Sequence, residues 1–292
     1  MNRPRRFAVL GDPIAHSKSP AMHMAAYRAL GLPHSYEAIR ATEGELPGLV
    51  DALRKGTFEG FNITVPHKTR ILDFVDMVDV SASRAGAANT LVRTGGKVHA
   101  YNTDTAALAK ELRELAPELG TRWTGKSAVV IGTGGAARSA EVALAVELGA
   151  RRIVARGRSL ADLHAADRFA HELGELIARS GPQVEIVAGG LTPDPARDAE
   201  AVAIVQTTSA GMSGADDGAV VASAVDWDVV GPRAVALDVV YAPPRTPFLV
   251  AAERHAIRCA NGHGMLARQG ALAFELWLHV PAPYNAMLTT LT

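Results

Sequence analysis

Two kinds of chemistry are written into this chain by residue type and spacing: proton transfer at Lys68 and Asp104, and phosphate binding at Gly132-Thr133-Gly134-Gly135-Ala136. An ammonium beside a carboxylate can stabilise and protonate an oxygen that gains negative charge. Lys68 ends the stretch Gly60-Phe61-Asn62-Ile63-Thr64-Val65-Pro66-His67-Lys68. The first half alternates apolar and polar residues, which predicts a short strand. Pro66 stops that strand and suits the first position of a helix over 68–75. Asn62, Thr64 and Lys68 then lie near the mouth of a strand-to-helix turn, with Lys68 at the helix end whose dipole disfavours a cation. A residue set against its local electrostatics points to function, whereas the plainer reading is a solvated surface lysine. Asp104 opens a second helical pattern, about 105–115. Capping or the dipole explains an acid there; a carboxylate held near Lys68 is the functional reading.

The glycine stretch sits between the apolar strand Ser127 to Ile131 and an alanine-rich helix, Ala137 to Leu148, that stops at Gly149. A second strand, Arg151 to Ala155, follows on schedule. This is the βαβ unit of a dinucleotide-binding fold, whose backbone N–H groups meet a pyrophosphate at the helix start. The residues after the second strand choose the cofactor. Here they are Arg156-Gly157-Arg158-Ser159, with no acid to take the ribose hydroxyls of NAD. Arg156 and Arg158 offer a guanidinium fork for the 2′-phosphate of NADP, aided by Ser159; two solvated loop arginines are the alternative.

These groups must be positioned by an α/β chain. A strand from Arg6 to Leu10 leads to His16-Ser17-Lys18-Ser19-Pro20 and a helix from Pro20 to about Leu30. Ser19 reads as its N-cap. Ser17 has no local partner assigned to it, so the two serines suit a small anion or carboxylate. Further strands are predicted over 35–39, 184–187, 202–206 and 234–239, and a hairpin turns at Gly95-Gly96. Asn89 reads equally as a turn residue or a ligand contact, and Gln269, in a final helix over 265–279, as a core hydrogen-bonding group or a substrate contact. Pro117 to Lys126 has the composition of a domain linker.

The 292 residues allow two cores. With 48% hydrophobic residues, and 30 basic against 30 acidic ones, the chain is globular and offers no electrostatic reason to bind nucleic acid or an acidic membrane surface. Cys259 is the single cysteine, so a reducing, cytoplasmic setting fits. The basic start, Met1 to Arg6, precedes too short an apolar run for a signal peptide, and no stretch is long enough to span a bilayer. His67, His263 and Cys259 lack companions at metal-ligand spacing, so no metal is expected.

Together these motifs resemble the shikimate dehydrogenase family nearly end to end. His16 to Pro20 resembles its substrate-carboxylate loop, and Gly60 to Lys68 its Asn-Val-Thr-x-Pro-x-Lys segment, with Ile63 for the valine. Ala88-Asn89-Thr90, Asn102-Thr103-Asp104, Leu237-Asp238-Val239-Val240-Tyr241 and Asn261 to Gln269 resemble its remaining signatures. The resemblance implies a two-domain α/β fold: a substrate domain of residues 1–104 with 266–292, completed by the C-terminal helix, and an inserted Rossmann-type NADP(H) domain of 105–265. It implies that Ser17 and Ser19 bind the substrate carboxylate. Thr64, Asn89, Tyr241 and Gln269 would surround the substrate, with Lys68 and Asp104 as the catalytic pair. Gly132, Thr133, Gly134, Gly135 and Ala136 would cradle the pyrophosphate. Ala155, Arg156, Gly157, Arg158, Ser159 and Leu160 would surround the 2′-phosphate, with Val239 and Gly262 beside the nicotinamide. Ala155 and Gly157 depart from the family's usual Asn and Thr, Gln206 and Met24 from usual asparagines. The implied reaction is NADP-dependent, reversible reduction of 3-dehydroshikimate to shikimate. Quinate or an aminated analogue as substrate, a non-catalytic NADP-binding regulator, and the state of assembly, homodimer included, stay open at this point.

Overall fold

In the computed structural model of the chain, residues 3–121 and 123–291 are described; Met1 and Asn2 of the basic start, Arg122 of the 117–126 segment and Thr292 lie outside them. The chain divides into two compact units, Met1–Ala107 with Gly264–Thr292, and Leu108–His263. The first unit opens with β1 (Arg6–Gly11), α1 (Ser19–Ala29), β2 (Ser35–Arg40), α2 (Leu46–Arg54) and β3 (Gly60–Ile63). Next come β4 (Met77–Val78), α3 (Val80–Ala85), β5 (Thr90–Thr94), β6 (Lys97–Tyr101) and α4 (Asp104–Leu115), along which the chain passes into the second unit. That unit holds β7 (Ser127–Ile131), α5 (Gly135–Val142), β8 (Arg152–Arg156), α6 (Leu163–Ala178), β9 (Glu185–Gly189), α7 (Pro195–Glu200) and β10 (Ala201–Gln206). It continues with α8 (Ala219–Ala222), β11 (Val235–Asp238), α9 (Pro247–Arg254) and β12 (Arg258–Ala260), before α10 (His263–Leu278) and α11 (Tyr284–Thr289) return the chain to the first unit.

The first unit is built on one mixed sheet, ordered β2-β1-β3-β5-β6-β4. β1 runs parallel to β2 and β3, whereas β3 with β5 and β5 with β6 are antiparallel. Gly95 and Gly96, with φ of 59° and 79°, make the turn between β5 and β6. One face of the sheet packs Phe7, Val9 and Val92 against Met22, Tyr27, Phe274 and Trp277. The other packs Leu10, Phe61 and Leu91 against Leu46, Val50 and Leu53 of α2. Gly60 is the residue that lets α10 come down on the sheet, since a Cβ there would stand 2.1 Å from the Trp277 indole nitrogen. That indole instead donates to the Leu91 carbonyl at 2.9 Å.

The second unit is a wholly parallel sheet, β12-β11-β10-β7-β8-β9. Numbered within the unit from β7 and read from the β9 edge, this is strand order 3-2-1-4-5-6, the doubly wound dinucleotide-binding arrangement. Its order reverses between β7 and β10, and ligands bind beyond the strand carboxyl ends at such a point. The segment 117–126 lies inside this unit, with Trp123 buried in it.

Three expectations for local structure are corrected. No α-helix forms over 68–75: Lys68 lies in a turn, and only a short 3-10 helix, Arg70–Asp73, follows. The Lys68 carbonyl that a helix would use internally accepts the Ala88 N–H at 2.7 Å, and the His67 ring is anchored 2.7 Å from the Ala41 carbonyl. The dipole argument for Lys68 therefore lapses. Ser19 is no N-cap but the first residue of α1, with Lys18 before it. Finally, α10 is not the last helix, because α11 packs against α1 behind it. No helix among the described residues is long and apolar enough to cross a membrane.

One buried carboxyl sits oddly in this core. Glu141 in α5 is fully buried, and neither carboxylate oxygen has a hydrogen-bond partner among the described residues. Burial pushes its carboxyl up to about 8, with Arg138 opposing. The folded state thus holds a proton that the unfolded chain releases near 4.5, so this group makes stability fall as pH rises from about 4.5 to 8. Glu141→Leu should raise stability by a few kcal/mol at pH 8, on the order of the ~1.4 kcal/mol per pKa unit at stake. The gain should shrink toward pH 4.5, read from urea midpoints at each pH; a gain independent of pH would refute it.

Candidate active site

The sheet order of the first unit brings three chain segments to one end. β3 and β5 are antiparallel, pairing Asn62 with Thr90, so the end of β3 meets the start of β5. β5 and β6 are antiparallel as well, pairing Thr90 with Tyr101, so the end of β6 arrives at the same place. The turn after β3 carries Lys68, the residue before β5 is Asn89, and the loop after β6 carries Asn102, Thr103 and Asp104. β1 is parallel to β3, with Leu10 beside Ile63, so Gly11 and the Ser17–Ser19 loop follow from that end too. Gly11 is required there: a Cβ would stand 2.4 Å from the Thr64 methyl.

Lys68 Nζ lies 2.6 Å from Asp104 Oδ2. The aspartate side chain is only 4% exposed and the lysine 14%, so the pair is largely out of water and more open on the lysine side. Asp104 is not spent on capping, because Asn102 Oδ1 accepts the Thr105 N–H at 3.0 Å and caps α4 instead. The second oxygen of Asp104 accepts from Asn89 Nδ2 at 2.8 Å. Asn89 Nδ2 also lies 2.9 Å from Thr103 Oγ1 and 3.2 Å from Gln269 Oε1, so three acceptors share its two hydrogens. The Thr103 hydroxyl then donates onward, to the Gln269 carbonyl at 3.1 Å, while Thr103 N–H donates to Asn89 Oδ1 at 2.8 Å. Gln269 Nε2 is tied to the Leu266 carbonyl at 2.9 Å. Asn89 is thus the hub joining the ion pair to α10.

The network reaches further than the motifs indicated. Asn62 donates to the Asn89 carbonyl and to Thr90 Oγ1, each at 3.1 Å, and accepts from the Tyr36 hydroxyl at 2.7 Å. Tyr36 stacks on His23, with centroids 4.3 Å apart and planes 6° from parallel. Burial pushes the His23 imidazole down to about 3, opposed by Asn62, so His23 is a neutral ring under the site at neutral pH. Asn62, Thr103 and Tyr36 belong to this network although none stood among the residues assigned a site role. Asn62 had a signal, since it is a polar residue between Phe61 and Ile63 in a strand buried throughout. Ser17 does have a local partner, its Oγ accepting the Ser19 N–H at 3.3 Å. Thr64 is half-buried, its N–H held by the Leu10 carbonyl at 2.9 Å.

In the second unit the β7–α5 turn suits a pyrophosphate. Gly132 has φ of 127° and is packed so closely on β10 that a Cβ would stand 2.3 Å from Thr207 Oγ1. A Cβ on Gly134 would meet nothing, and no side chain caps the α5 N-terminus, so its leading N–H groups are left for a ligand. Thr133, Gly135 and Ala136 line the same turn. At the β11 end, buried Asp238 accepts from Val240 N–H at 2.9 Å and Thr246 Oγ1 at 2.6 Å, fixing the backbone on either side of Val239. Burial pushes its carboxyl up to about 6 against those hydrogen bonds. Gly262 is pressed on that strand end, and a Cβ there would stand 2.1 Å from the Val239 carbonyl. Tyr241 is half-buried, its ring centroid 6.0 Å from that of His263.

The expected arginine fork does not form. β8 extends to Arg156, one residue beyond the expected Ala155, and pairs it with Ile131 and Gly189. Strand alternation turns its side chain inward, to the face of Val154. Its side chain is 3% exposed, with the guanidinium 2.7 Å from the fully buried carboxylate of Asp198 and donating to the Ala224 carbonyl. Breaking such a pair costs about 3–5 kcal/mol. Arg156 is thereby a core residue. Ala155, Gly157 and Leu160 are buried, whereas Arg158 and Ser159 are exposed.

Known proteins give a consistent comparison. Residues 9–91 match the profile of the shikimate dehydrogenase substrate binding domain, and residues 262–292 that of the shikimate 5'-dehydrogenase C-terminal domain. A shikimate dehydrogenase (NADP(+)) of Cereibacter sphaeroides is 38% identical over 275 residues, covering 93% of this chain and 91% of its own length. Among solved structures, a shikimate dehydrogenase in complex with NADP+ is similar with a TM-score of 0.84 at 30% identity, covering 100% of this chain and 96% of its own. The quinate dehydrogenase of Corynebacterium glutamicum in complex with NAD gives 0.82 at 26% identity, covering 99% of each chain.

Truncating the hub tests this geometry. Asn89→Ala removes the donor to the buried Asp104 Oδ1 and should destabilise the protein by about 1–3 kcal/mol, the cost of an unsatisfied buried acceptor. The urea midpoint should fall accordingly, and a midpoint equal to the parent's would show that the network contributes nothing.

Proposed function

The chain belongs to the shikimate dehydrogenase family, and on that premise we propose that it catalyses the NADP-dependent, reversible reduction of 3-dehydroshikimate to shikimate. The observation that carries the proposal is the Lys68–Asp104 pair, with the lysine side chain still 14% exposed. The first unit is the substrate domain in this reading and the second the NADP domain. NADPH, when bound, supplies the hydride that reduces the ring carbonyl. Lys68 stabilises the oxygen as it becomes negative and delivers a proton to it from Nζ; in the reverse direction Nζ receives that proton. Asp104 holds the ammonium in place and is itself held by Asn89, so neither group reorganises during the step. Ser17 and Ser19 take the substrate carboxylate, and Thr64, Asn89 and Gln269 bind the ring hydroxyls. The β7–α5 turn receives the pyrophosphate, and Val239 and Gly262 line the nicotinamide end.

Shikimate is favoured over quinate because a relative named shikimate dehydrogenase (NADP(+)) is 38% identical and the quinate dehydrogenase 26%. Purified protein should form NADPH, followed by absorbance, when given shikimate and NADP+, and do so faster than with quinate or with NAD+. Lys68→Met should lower turnover by roughly two to four orders of magnitude, the usual worth of a general acid–base, with shikimate affinity little changed. Near-parental turnover in that variant would remove Lys68 from the mechanism.

A further inference from the structure

Residues 155–160 raise a question that family membership does not answer. The arginine that ends β8 is committed to the core, and both positions flanking it, Ala155 and Gly157, lack a polar side chain. Asp198 accepts the Asp226 N–H at 2.9 Å through its second oxygen, so the Arg156 pair also fastens α7 and the 224–226 segment to the strand. Withdrawing Arg156 toward a ligand would strand a buried carboxylate. Two residues away, Arg158 is held differently. It is 76% exposed, and the carboxylate it meets, Asp216 at 2.9 Å, is exposed as well. Such pairs are weak and readily exchanged for a better anion.

Gly157 explains how hydroxyl groups reach this spot without the family's usual threonine. A Cβ on Gly157 would stand 2.8 Å from the Thr133 methyl. Thr133 of the glycine turn therefore fills the space that a side chain at 157 would need. Its hydroxyl lies 3.3 Å from the Ser159 hydroxyl, on the exposed side of the turn. The geometry points to a rebuilt 2′-phosphate site in this chain: Arg158 reads the phosphate together with the Ser159 and Thr133 hydroxyls, and Arg156 plays no part. Arg158 exchanges the Asp216 carboxylate for the phosphate, one anion for another of higher charge with better bidentate geometry for a guanidinium.

This inference rests on the proposed function for the presence of NADP at all, and its test reads cofactor binding without substrate. Dissociation constants for NADP+ and NAD+ are measured by calorimetry on the full chain. Arg158→Ala should weaken NADP+ by about 10–100-fold, the worth of charge-assisted hydrogen bonds, and leave NAD+ within about twofold. Because removing Arg156 alone would strand Asp198, the comparison variant removes both charges, Arg156→Met with Asp198→Asn. It should keep the NADP+ to NAD+ ratio within about twofold, provided its circular dichroism and melting curve show a folded chain; if it is unfolded, Arg158→Lys, which keeps the charge and loses the fork, should fall between parent and Arg158→Ala. An Arg158→Ala protein that still prefers NADP+ as the parent does overturns the inference, as does a parent that binds both cofactors equally. NADP+ binding that depends on Arg158, in a protein that does not oxidise shikimate, would instead overturn the proposed function and leave the inference standing.

Discussion

The ion pair between Lys68 and Asp104 is the constraint to which the first unit answers. Taking two charges out of water is expensive, and their mutual attraction offsets that cost only if the remaining hydrogen-bonding positions are filled. Asp104 meets the condition through Asn89, and Asn89 in turn must be held by Thr103 and Gln269. The requirement spreads until it has recruited the end of β3, the start of β5, the end of β6 and the middle of α10. The mixed sheet is what allows this. Antiparallel pairing of β3, β5 and β6 turns three distant stretches of sequence toward one edge, where an all-parallel sheet would have sent the start of β5 to the opposite end. Trp277 then locks α10 onto the sheet through the gap left by Gly60, which keeps Gln269 within reach of Asn89.

Much of this was readable in the order of the residues, for reasons that differ between the two units. The second unit advertises itself locally. Strand, glycine turn, helix and strand follow within thirty or so residues, the length of a βαβ unit, and each has its own composition. The site of the first unit is non-local, and only the combined motifs carried it. Where local reasoning failed, a tertiary hydrogen bond or a strand end had decided the matter. Lys68 has helix-compatible neighbours, but its carbonyl is claimed by Ala88. Ser19 has the right side chain for a cap, but Lys18 precedes it in helical conformation and Ser19 already lies within the helix. Asn62 was conspicuous as a polar residue in an apolar strand, yet its partners, Tyr36 and the adjacent Asn89 and Thr90, come from two other places in the chain.

Arg156 shows the same limit more sharply. Its residue type, position after a βαβ unit and arginine neighbour all favour a phosphate ligand, and the outcome turned on a single residue of strand length. With β8 running through 156, period-two alternation puts the side chain on the face that α7 and Ala224 cover. The partner that makes burial tolerable, Asp198, lies in the short helix α7. A buried carboxylate far along the chain is invisible to a local reading, and without it the solvated conformer of Arg156 would be the cheaper one.

Among the described residues two ion pairs face inward at similar contact distance, 2.6 Å for Lys68–Asp104 and 2.7 Å for Arg156–Asp198. Two physical differences separate them. The arginine pair is closed, at 3% and 0% exposure, so no solute reaches either partner; the lysine pair is partly open, its lysine side chain 14% exposed. A guanidinium also keeps its proton at any ordinary pH, whereas an ammonium can surrender one. A sealed pair of permanent charges fastens elements together. An open pair with a transferable proton is fastened by its surroundings instead, and the dense hydrogen bonding around Asn89 supplies that support, which in the proposed reaction leaves Lys68 a charge, a proton and a way out to a substrate.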